Sequence, residues 1–218
     1  MKIQILISKS SWINNGFKKK IVSNIGVYSK KIYFLNNHIY LRKNYGLTII
    51  LSYFKLVPLK YLKRSKYNIV IHGSALPKGR GMSPISWQIL NKKNIIIFSL
   101  IEAGKSLDEG RVYFQKKVNF KRSTLFSEIK NIQFNICIKL IKKFLNYYKK
   151  NKKTPKSFKQ VGIPTYYKAR SPMDSKLNVN KSLRSQFNLL RIVDNKKYPA
   201  FFNIFNNKYY LKIIKKQK

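Results

Sequence analysis

The stretch NIVIHGSALPKGRGMSPISWQIL, residues 68–90, decides the fold because it predicts a strand, a loop and a helix in that order. Residues 68–72 are a short apolar run that ends in a histidine, and the loop at 75–84 is rich in glycine and proline. Pro84 suits the first turn of the following helix, and Ser83 is a suitable cap for it. The stretch therefore predicts one strand-to-helix unit of an α/β protein.

Further apolar runs of strand length lie on both sides of this unit. They are KIQILI at 2–7, GLTIILS at 46–52 and IIIFSLI at 95–101, with helical patterns between them. Residues 124–149 place apolar side chains on one face of a long helix. Strands that alternate with helices favour a mostly parallel sheet covered by helices.

The C-terminal part of the chain has its own pattern. A lysine-rich stretch at 148–160 predicts a linker, so we divide the chain into a main domain, residues 1–150, and an extension, residues 151–218. Within the extension, residues 182–194 predict a helix, and a β-hairpin with its turn at Asn206-Asn207 follows.

The charge of the chain is extreme, with 47 Lys and Arg against 6 Asp and Glu and a net charge of +41. Such a charge attracts nucleic acid or an anionic membrane regardless of sequence. Lys, Asn and Ile are nevertheless enriched throughout the chain. We therefore favour a compositional bias over a dedicated binding face. A specific nucleic-acid partner is not expected, whereas non-specific adsorption of RNA is.

Cysteine, metal and membrane features are few. The single cysteine, Cys137, excludes an internal disulfide and predicts a small core residue within an apolar helix. Two histidines, one cysteine and six acids do not form a metal-binding motif in the sequence, so no metal site is predicted. The longest apolar stretch, residues 46–59, is interrupted by Lys55 and Pro58, so no membrane span is expected. No secretory signal is visible, and we therefore expect a cytoplasmic protein.

Two residues stand out as candidates for chemistry. His72 ends a predicted strand, and ligands of open α/β sheets bind beyond the carboxyl ends of the strands. Taken alone, this histidine is better explained as a structural residue that caps the strand through a hydrogen bond to the backbone. Asp108 belongs to a cluster of three acids in a chain that has only 6. A turn explains one aspartate there, but a turn does not explain the cluster.

These residues lie in a sequence that resembles the folate-dependent formyltransferases. In IHGSALPKGRGMSPISWQIL (71–90) and SLIEAGKSLDEGRVY (99–113) the chain is similar to the family's His-Gly-Ser-x-Leu-Pro, Arg-Gly-x-x-Pro and Leu-Asp-x-Gly motifs. ILSYFKLVP (50–58) resembles the segment that lines the pteridine pocket, and residues 169–202 resemble the C-terminal motifs of the family. The similarity runs from about residue 46 to the end of the chain and is closest to the short, sugar-associated members.

The resemblance implies a formyltransferase-type α/β fold, an open, mostly parallel, twisted sheet flanked by helices, followed by a short C-terminal helix and hairpin. It implies that residues 1–150 are the catalytic domain, with His72 as the proton acceptor and Asp108 as the carboxylate that orients it. The formyl donor would be 10-formyltetrahydrofolate, with no metal. Residues expected at the donor are Ser52, Tyr53, Phe54, Leu56, Val57, Pro58 and Leu107. Residues expected at the acceptor are Leu76, Pro77, Lys78, Gly79, Arg80, Gly81, Ser83 and Pro84.

One position departs from the family pattern. The family has an asparagine two residues before the histidine, where it supports the oxyanion, and this chain has Val70 there. Asn68 is one candidate replacement, but residues four apart on one face of a strand are about 13 Å apart. Ser74, Gln88 and a backbone N–H are the other candidates.

The sequence leaves more than one class of acceptor amine possible. The family includes the methionyl-tRNA formyltransferases, in which a β-barrel domain follows the catalytic domain. Only about 20 residues follow Tyr198 here, which is too few for such a barrel. We therefore expect a small acceptor such as an amino sugar, nucleotide-linked or of the sialic-acid type. Methionyl-tRNA is the alternative, and an inactive, basic RNA-binding protein is a second one. A homodimer that involves the C-terminal hairpin is a further expectation.

Overall fold

The apolar runs form the strands of a central sheet in the computed structural model, which describes residues 1–216. Ten strands are numbered along the chain: β1 Ile3–Leu6, β2 Ile32–Leu35, β3 Tyr45–Ile50, β4 Ser65–His72, β5 Arg80–Gly81, β6 Ile95–Glu102, β7 Val112–Asn119, β8 Tyr166–Tyr167, β9 Ala200–Ile204 and β10 Asn207–Leu211. Five α-helices accompany them: α1 Phe17–Ile25, α2 Leu59–Leu62, α3 Pro84–Leu90, α4 Phe126–Asn151 and α5 Phe187–Leu190.

The central sheet has six strands in the order β2-β1-β3-β4-β6-β7. The first four are parallel to one another, whereas β6 runs antiparallel to both β4 and β7. This arrangement confirms the predicted mostly parallel sheet. The sheet places His72, the last residue of β4, opposite Ser99 of β6.

The main core lies where α1 and α4 cover one face of the sheet. Ile3, Ile5, Leu47 and Ile49 of the sheet are fully buried there. The predicted stripe on the long helix faces the same core, as the burial of its residues Ile129, Ile136, Leu140, Ile141 and Phe144 shows. Cys137 is also buried, as predicted, and burial raises the pKa of its thiol to about 12.

A smaller cluster covers the other face of the sheet near the carboxyl ends of its strands. Leu6, Ile50, Val57 and Leu62 are buried in it, and Val70 packs against them. Val57 belongs to the segment 50–58 that follows β3. Burial of this one side chain therefore holds the segment against the carboxyl edge of the sheet.

The C-terminal segment differs from its prediction in two places. The predicted helix at 182–194 contains only one turn of α-helix, α5, because turns occupy the residues before it. The hairpin of β9 and β10 is present, but its turn is Phe205-Asn206, with φ angles of 49° and 62°, one residue earlier than predicted. The last two residues of the predicted extension, 217 and 218, lie outside the described residues.

A fully buried arginine fastens this segment to the main sheet. Arg191 donates from Nε to the carbonyl oxygen of Thr124 at 3.0 Å and from Nη1 to Asn94 Oδ1 at 2.8 Å. Nη2 donates to the carbonyl oxygen of Lys121. Burial lowers the pKa of this guanidinium from its ordinary value, so its hydrogen bonds compensate a real desolvation cost.

No helix within residues 1–216 combines the length and the apolar character that crossing a membrane requires.

Candidate active site

His72 is buried where β4 gives way to the loop that leads to α3. Its Nε2 donates to the carbonyl oxygen of Gly79 at 2.7 Å, because a carbonyl can only accept. The loop therefore folds back over the imidazole ring. Gly73 permits this geometry, since a Cβ atom at that position would lie 2.7 Å from Cγ1 of Ile85 on α3.

Asp108 reaches the same imidazole from the turn between β6 and β7. Its Oδ2 lies 3.4 Å from Nδ1 of His72, and both side chains are more than nine-tenths buried. The same oxygen accepts a hydrogen bond from the backbone N–H of Gly81 at 2.9 Å. Asp108 has a φ angle of 54°, in the left-handed region that aspartate tolerates better than most residues. The structure thus brings together the two residues that the sequence singled out.

Both simple alternatives for these residues are also present in the structure. His72 does make the backbone hydrogen bond expected of a strand-end histidine, and Asp108 does lie in a tight turn. The contact between the two side chains is what neither alternative explains. With one nitrogen facing a carbonyl and the other a carboxylate, the imidazolium form satisfies both neighbours.

The candidates for oxyanion support differ sharply in their hydrogen bonding. Gln88 Nε2 donates to the carbonyl oxygens of Gly73 and Pro84, so both of its N–H groups are in use. Asn68 Nδ2 donates to the carbonyl oxygen of Leu62, on the side of α2. The hydroxyl of Ser74 is buried and makes no hydrogen bond to any other described residue. Among the described residues, Ser74 is therefore the one of these three side chains whose donor has no partner, whereas the donors of Gln88 are engaged with the backbone.

The predicted donor segment lies along the carboxyl edge of the sheet. Its backbone is fixed by a hydrogen bond from the N–H of Phe54 to Ser8 Oγ at 2.9 Å. Three predicted apolar donor contacts, Phe54, Leu56 and Leu107, are 47%, 51% and 42% exposed. Pro58 is also exposed and Ser52 is half-buried, whereas Val57 is buried in the core cluster. The segment thus exposes apolar side chains, while the hydrogen bond to Ser8 and the burial of Val57 hold its backbone in place.

Tyr53, the remaining residue of the segment, is held by His38. Its hydroxyl lies 2.8 Å from Nδ1 of His38 and accepts the backbone N–H of the same residue at 3.2 Å. In the neutral imidazole with Nδ1 unprotonated, the hydroxyl donates its proton to Nδ1. Burial, and then the charges of Lys55 and Lys60, lower the pKa of His38 and so favour this neutral form.

The predicted acceptor loop divides into buried and exposed residues. Leu76, Pro77, Gly79 and Arg80 are buried, Gly81 and Pro84 are half-buried, and Lys78 and Ser83 are exposed. Ser83 does not cap α3 with its side chain, because it adopts a left-handed conformation with a φ angle of 52°. Lys78 and Ser83 are thus the polar side chains of this loop that face solvent.

Arg80, which is predicted at the acceptor, is engaged with neighbouring side chains in the structure. Its Nη1 lies 2.8 Å from Glu109 Oε1 and 3.2 Å from the hydroxyl of Tyr166. Its Nε and Nη2 both donate to Gln160 Oε1, at 3.3 and 2.9 Å. Each nitrogen of the guanidinium is therefore engaged with a neighbouring side chain.

Sequence reasoning missed the chain segment 157–167, which it assigned to a linker and an extension. Thr165 accepts the N–H of Gly79 through Oγ1 at 2.8 Å, and β8 pairs with β5 across the acceptor loop. Gly81 has a φ angle of 93°, and a Cβ atom there would collide with the carbonyl oxygen of Tyr167. No local pattern reports these contacts, because they join residues more than 80 positions apart.

Two surface cavities lie away from His72 and Asp108. One, of about 550 Å³, is lined by residues at the outer ends of β6 and β7, including Lys93, Lys121 and Arg122. The other, of about 390 Å³, is lined by Lys43, Asn44, Lys60, Tyr61, Lys63 and Arg64. Basic side chains are prominent in both. Within residues 1–216, no group of three or more His, Cys, Asp or Glu side chains is placed to hold a metal ion.

The sheet and its helices have the fold of the formyltransferase-type α/β proteins. Residues 28–132 match the protein family described as formyl transferase. This match confirms the resemblance that was drawn from the sequence motifs.

Individual relatives support the same assignment. The methionyl-tRNA formyltransferase of Thermodesulfovibrio yellowstonii is 31% identical over 148 residues, which cover 66% of this chain and 46% of that protein. The chain spans about half the length of the curated relatives it matches.

Two solved structures show the same fold over the whole chain. The methionyl-tRNA formyltransferase of Clostridium thermocellum superimposes with a TM-score of 0.74 at 19% identity, covering 100% of this chain and 94% of that one. A sugar N-formyltransferase from a Shewanella species gives a TM-score of 0.70 at 17% identity, with coverages of 100% and 99%. At such identities the likeness is one of fold.

Proposed function

We propose that this protein transfers a formyl group from 10-formyltetrahydrofolate to a primary amine, with His72 and Asp108 at the reactive centre. The observation that carries the proposal is the 3.4 Å contact between the imidazole and the carboxylate at the carboxyl end of β4. It lies inside the stretch that matches the formyl transferase family. Ligands of open α/β sheets bind beyond the carboxyl ends of the strands, which is where this buried pair lies.

The residues of the site have distinct tasks in this reaction. The folate donor supplies the formyl carbon, which the acceptor amine attacks to give a tetrahedral adduct. His72 takes the proton that the attacking nitrogen loses and returns it to the folate nitrogen when the old C–N bond breaks. Asp108 orients the ring and stabilises its protonated form. Proton transfer of this kind contributes about 10²–10⁴ in rate.

The hydrogen bond to Gly79 sets a condition on this role. While Nε2 donates to the carbonyl oxygen of Gly79, that nitrogen has no lone pair for a substrate proton. His72 becomes a base when Nδ1–H donates to Asp108 and Nε2 is released from Gly79. A small displacement of the acceptor loop achieves both changes, and the 3.4 Å separation shortens to a standard hydrogen bond.

Ser74 is the proposed donor to the oxyanion in place of the family asparagine. Val70 has no polar group and packs against the core cluster on its own side of the sheet. The hydroxyl of Ser74 lies two residues beyond His72 and is buried without a partner. A buried hydroxyl without a hydrogen bond is costly, which makes a ligand oxygen a natural partner for it.

The donor is proposed to lie against the segment 52–58 and Leu107. Phe54, Leu56 and Leu107 expose apolar surface of the kind that covers a flat heteroaromatic ring. Tyr53 keeps the segment in place through His38. These residues can contact a folate donor directly, and the proposed contacts involve no metal ion.

The acceptor we propose is an amino sugar, bound beside the loop that carries Lys78 and Ser83. Lys78 is exposed and adjoins Gly79, the residue that contacts His72. Its ammonium group suits a phosphate or carboxylate of a nucleotide-linked or sialic-acid-type sugar. A fold shared with a sugar N-formyltransferase along 99% of that protein's length is consistent with this acceptor.

Methionyl-tRNA is the second candidate acceptor. Several curated relatives that the chain matches are methionyl-tRNA formyltransferases. The net charge of +41 and the basic residues around both surface cavities also favour a polyanion. A cytoplasmic location and a homodimer remain predictions.

Purified protein incubated with 10-formyltetrahydrofolate and each acceptor in turn tests the proposal. Release of tetrahydrofolate is followed by absorbance, and the product is identified by mass. We expect formyl transfer to a nucleotide-linked amino sugar. Transfer to methionyl-tRNA alone would favour the second candidate. RNA binding without turnover on any amine would contradict the enzyme proposal.

A further inference from the structure

The segment 157–167 crosses the site and is fixed at both of its ends. At one end Phe158 exchanges backbone hydrogen bonds with Val112, at 2.8 and 3.0 Å. At the other end β8 pairs with β5, and the N–H of Arg80 donates to the carbonyl oxygen of Thr165 at 2.9 Å. Gln160 lies between these two anchors. Its position is therefore set by the backbone around it.

The amide of Gln160 uses its full hydrogen-bonding capacity on the two loops of the active site. Nε2 donates to the carbonyl oxygens of Asp108, at 2.7 Å, and Gly110, at 2.9 Å. Oε1 accepts from Nε and Nη2 of Arg80. Two donors and two lone pairs are all that a glutamine amide has. A flipped amide would set its oxygen against two carbonyls, so its orientation is determined.

These contacts join the chain segments on which the reactive pair depends. Arg80 precedes Gly81, whose N–H binds the carboxylate of Asp108. The backbone of Asp108 is bound directly by Gln160 while its side chain faces His72. The amide thus bridges the acceptor loop and the turn that carries Asp108, in addition to the direct contacts of Arg80 with Glu109 and of Gly81 with Asp108.

We propose that Gln160 is a positioning residue for the pair formed by His72 and Asp108. Gln160 makes no contact with either reactive side-chain group and acts through the backbone of Asp108 and through Arg80. This inference rests on the proposed function, since it assigns a purpose to the alignment of that pair. Misplacing a reactive group by about 1 Å costs on the order of 10²-fold in rate.

Two variants of Gln160 separate its donors from its acceptor. Gln160→Met keeps the length of the side chain and removes all four hydrogen bonds. Gln160→Glu keeps an acceptor for Arg80 and sets a carboxylate against the carbonyl oxygens of Asp108 and Gly110. Gln186→Ala is the matched control, because Gln186 binds the backbone of Asn178 and Lys181 in the same manner, away from the site.

The readouts are steady-state kinetics and the imidazole NMR signals of the folded protein. The chain has 2 histidines, so His38 serves as an internal reference for His72. We expect both Gln160 variants to lower kcat by about 10²-fold, to leave KM for the folate donor within about twofold, and to displace the pH profile of kcat. The signals of His72 should move in both variants while those of His38 stay, and Gln186→Ala should change neither.

Unchanged kcat, pH profile and His72 signals in a folded Gln160→Met protein would overturn the proposal. Should that variant fail to fold, the same comparison in Gln160→Glu decides. Absence of turnover in the unmodified protein would count against the proposed function. The NMR comparison would then still show whether Gln160 positions the imidazole.

Discussion

Asp108 Oδ2 lies 3.4 Å from Nδ1 of His72, although helix α3 and strand β6 separate the two residues along the chain. The same oxygen accepts the N–H of Gly81, so the carboxylate is held by the acceptor loop while it faces the imidazole. This single contact joins β4, the acceptor loop and the turn before β7. The predictions below test what depends on it.

Replacing either member of the pair should abolish most turnover without unfolding the protein. His72→Ala removes the proton acceptor, and we expect kcat to fall by about 10²–10⁴-fold. Asp108→Asn keeps the shape of the side chain and tolerates the positive φ angle, but it removes the charge. Initial rates with saturating donor measure both effects. Retention of full kcat in a folded His72→Ala protein would refute the assigned base.

Ser74→Ala should separate activity from stability. Loss of an oxyanion donor costs about 10²–10³-fold in kcat. Stability should stay equal or rise, because the hydroxyl of Ser74 has no partner to lose. Ser99→Ala is the contrasting control, since Ser99 Oγ donates to the carbonyl oxygen of Ser74 and accepts from Gln115. Kinetics and urea unfolding of both variants check the prediction, and a stability loss confined to Ser74→Ala would contradict it.

Gly81→Ala should disrupt the acceptor loop. The φ angle of 93° is strained for alanine, and the new Cβ would collide with the backbone of Tyr167. We expect a loss of about 1–3 kcal/mol in the free energy of unfolding, with a fall in kcat as the N–H moves away from Asp108. Gly104→Ala is the control, because a Cβ there meets no atom within 4 Å. Equal stability of the two variants would show that β5 and β8 do not constrain the loop.

Arg191→Met should release the C-terminal segment from the sheet. The change leaves the carbonyl oxygens of Thr124 and Lys121 and the side chain of Asn94 without their donor. Hydrogen bonds to a charged group contribute about 1.5–3 kcal/mol each, so we expect a loss of at least about 3 kcal/mol. Chemical unfolding measures it, with exposed Arg184→Met as the control. A loss below 1 kcal/mol would mean that the segment is held by other contacts.

Stability should fall in mildly acidic solution because of His38. Its pKa is lowered in the folded protein by burial, and then by Lys55 and Lys60, whereas the unfolded chain has the ordinary value of about 6.5. The unfolded state therefore binds more protons in this range. The stability that neutral His38 contributes to the folded protein is complete above about pH 6.5. It is lost as the pH falls through the lower pKa that His38 has in the folded state. Melting temperatures between pH 7.5 and 5 should drop less steeply in His38→Gln, and parallel curves would exclude this residue as the cause.

Sequence motifs located the reactive residues but not their surroundings. A strand end and an acidic cluster drew attention to His72 and Asp108, and the resemblance to the formyltransferases implied their roles. Arg80 was assigned to the acceptor because the resemblance to the family places it in the acceptor loop. In the structure it is bound to Glu109, Gln160 and Tyr166, which are distant in sequence. Side chains of this kind acquire their roles from partners that no local pattern contains.

The pattern of apolar residues by itself predicted β1, β3, β4, β6 and the long helix α4, since burial in a core dictates such patterns. The tertiary structure alone decided that β6 reverses direction, that the hairpin turn lies at Phe205-Asn206, and that Gln160 crosses the active site. These features depend on hydrogen bonds and close approaches between remote segments. Such contacts exist only once the sheet has formed and has brought those segments together.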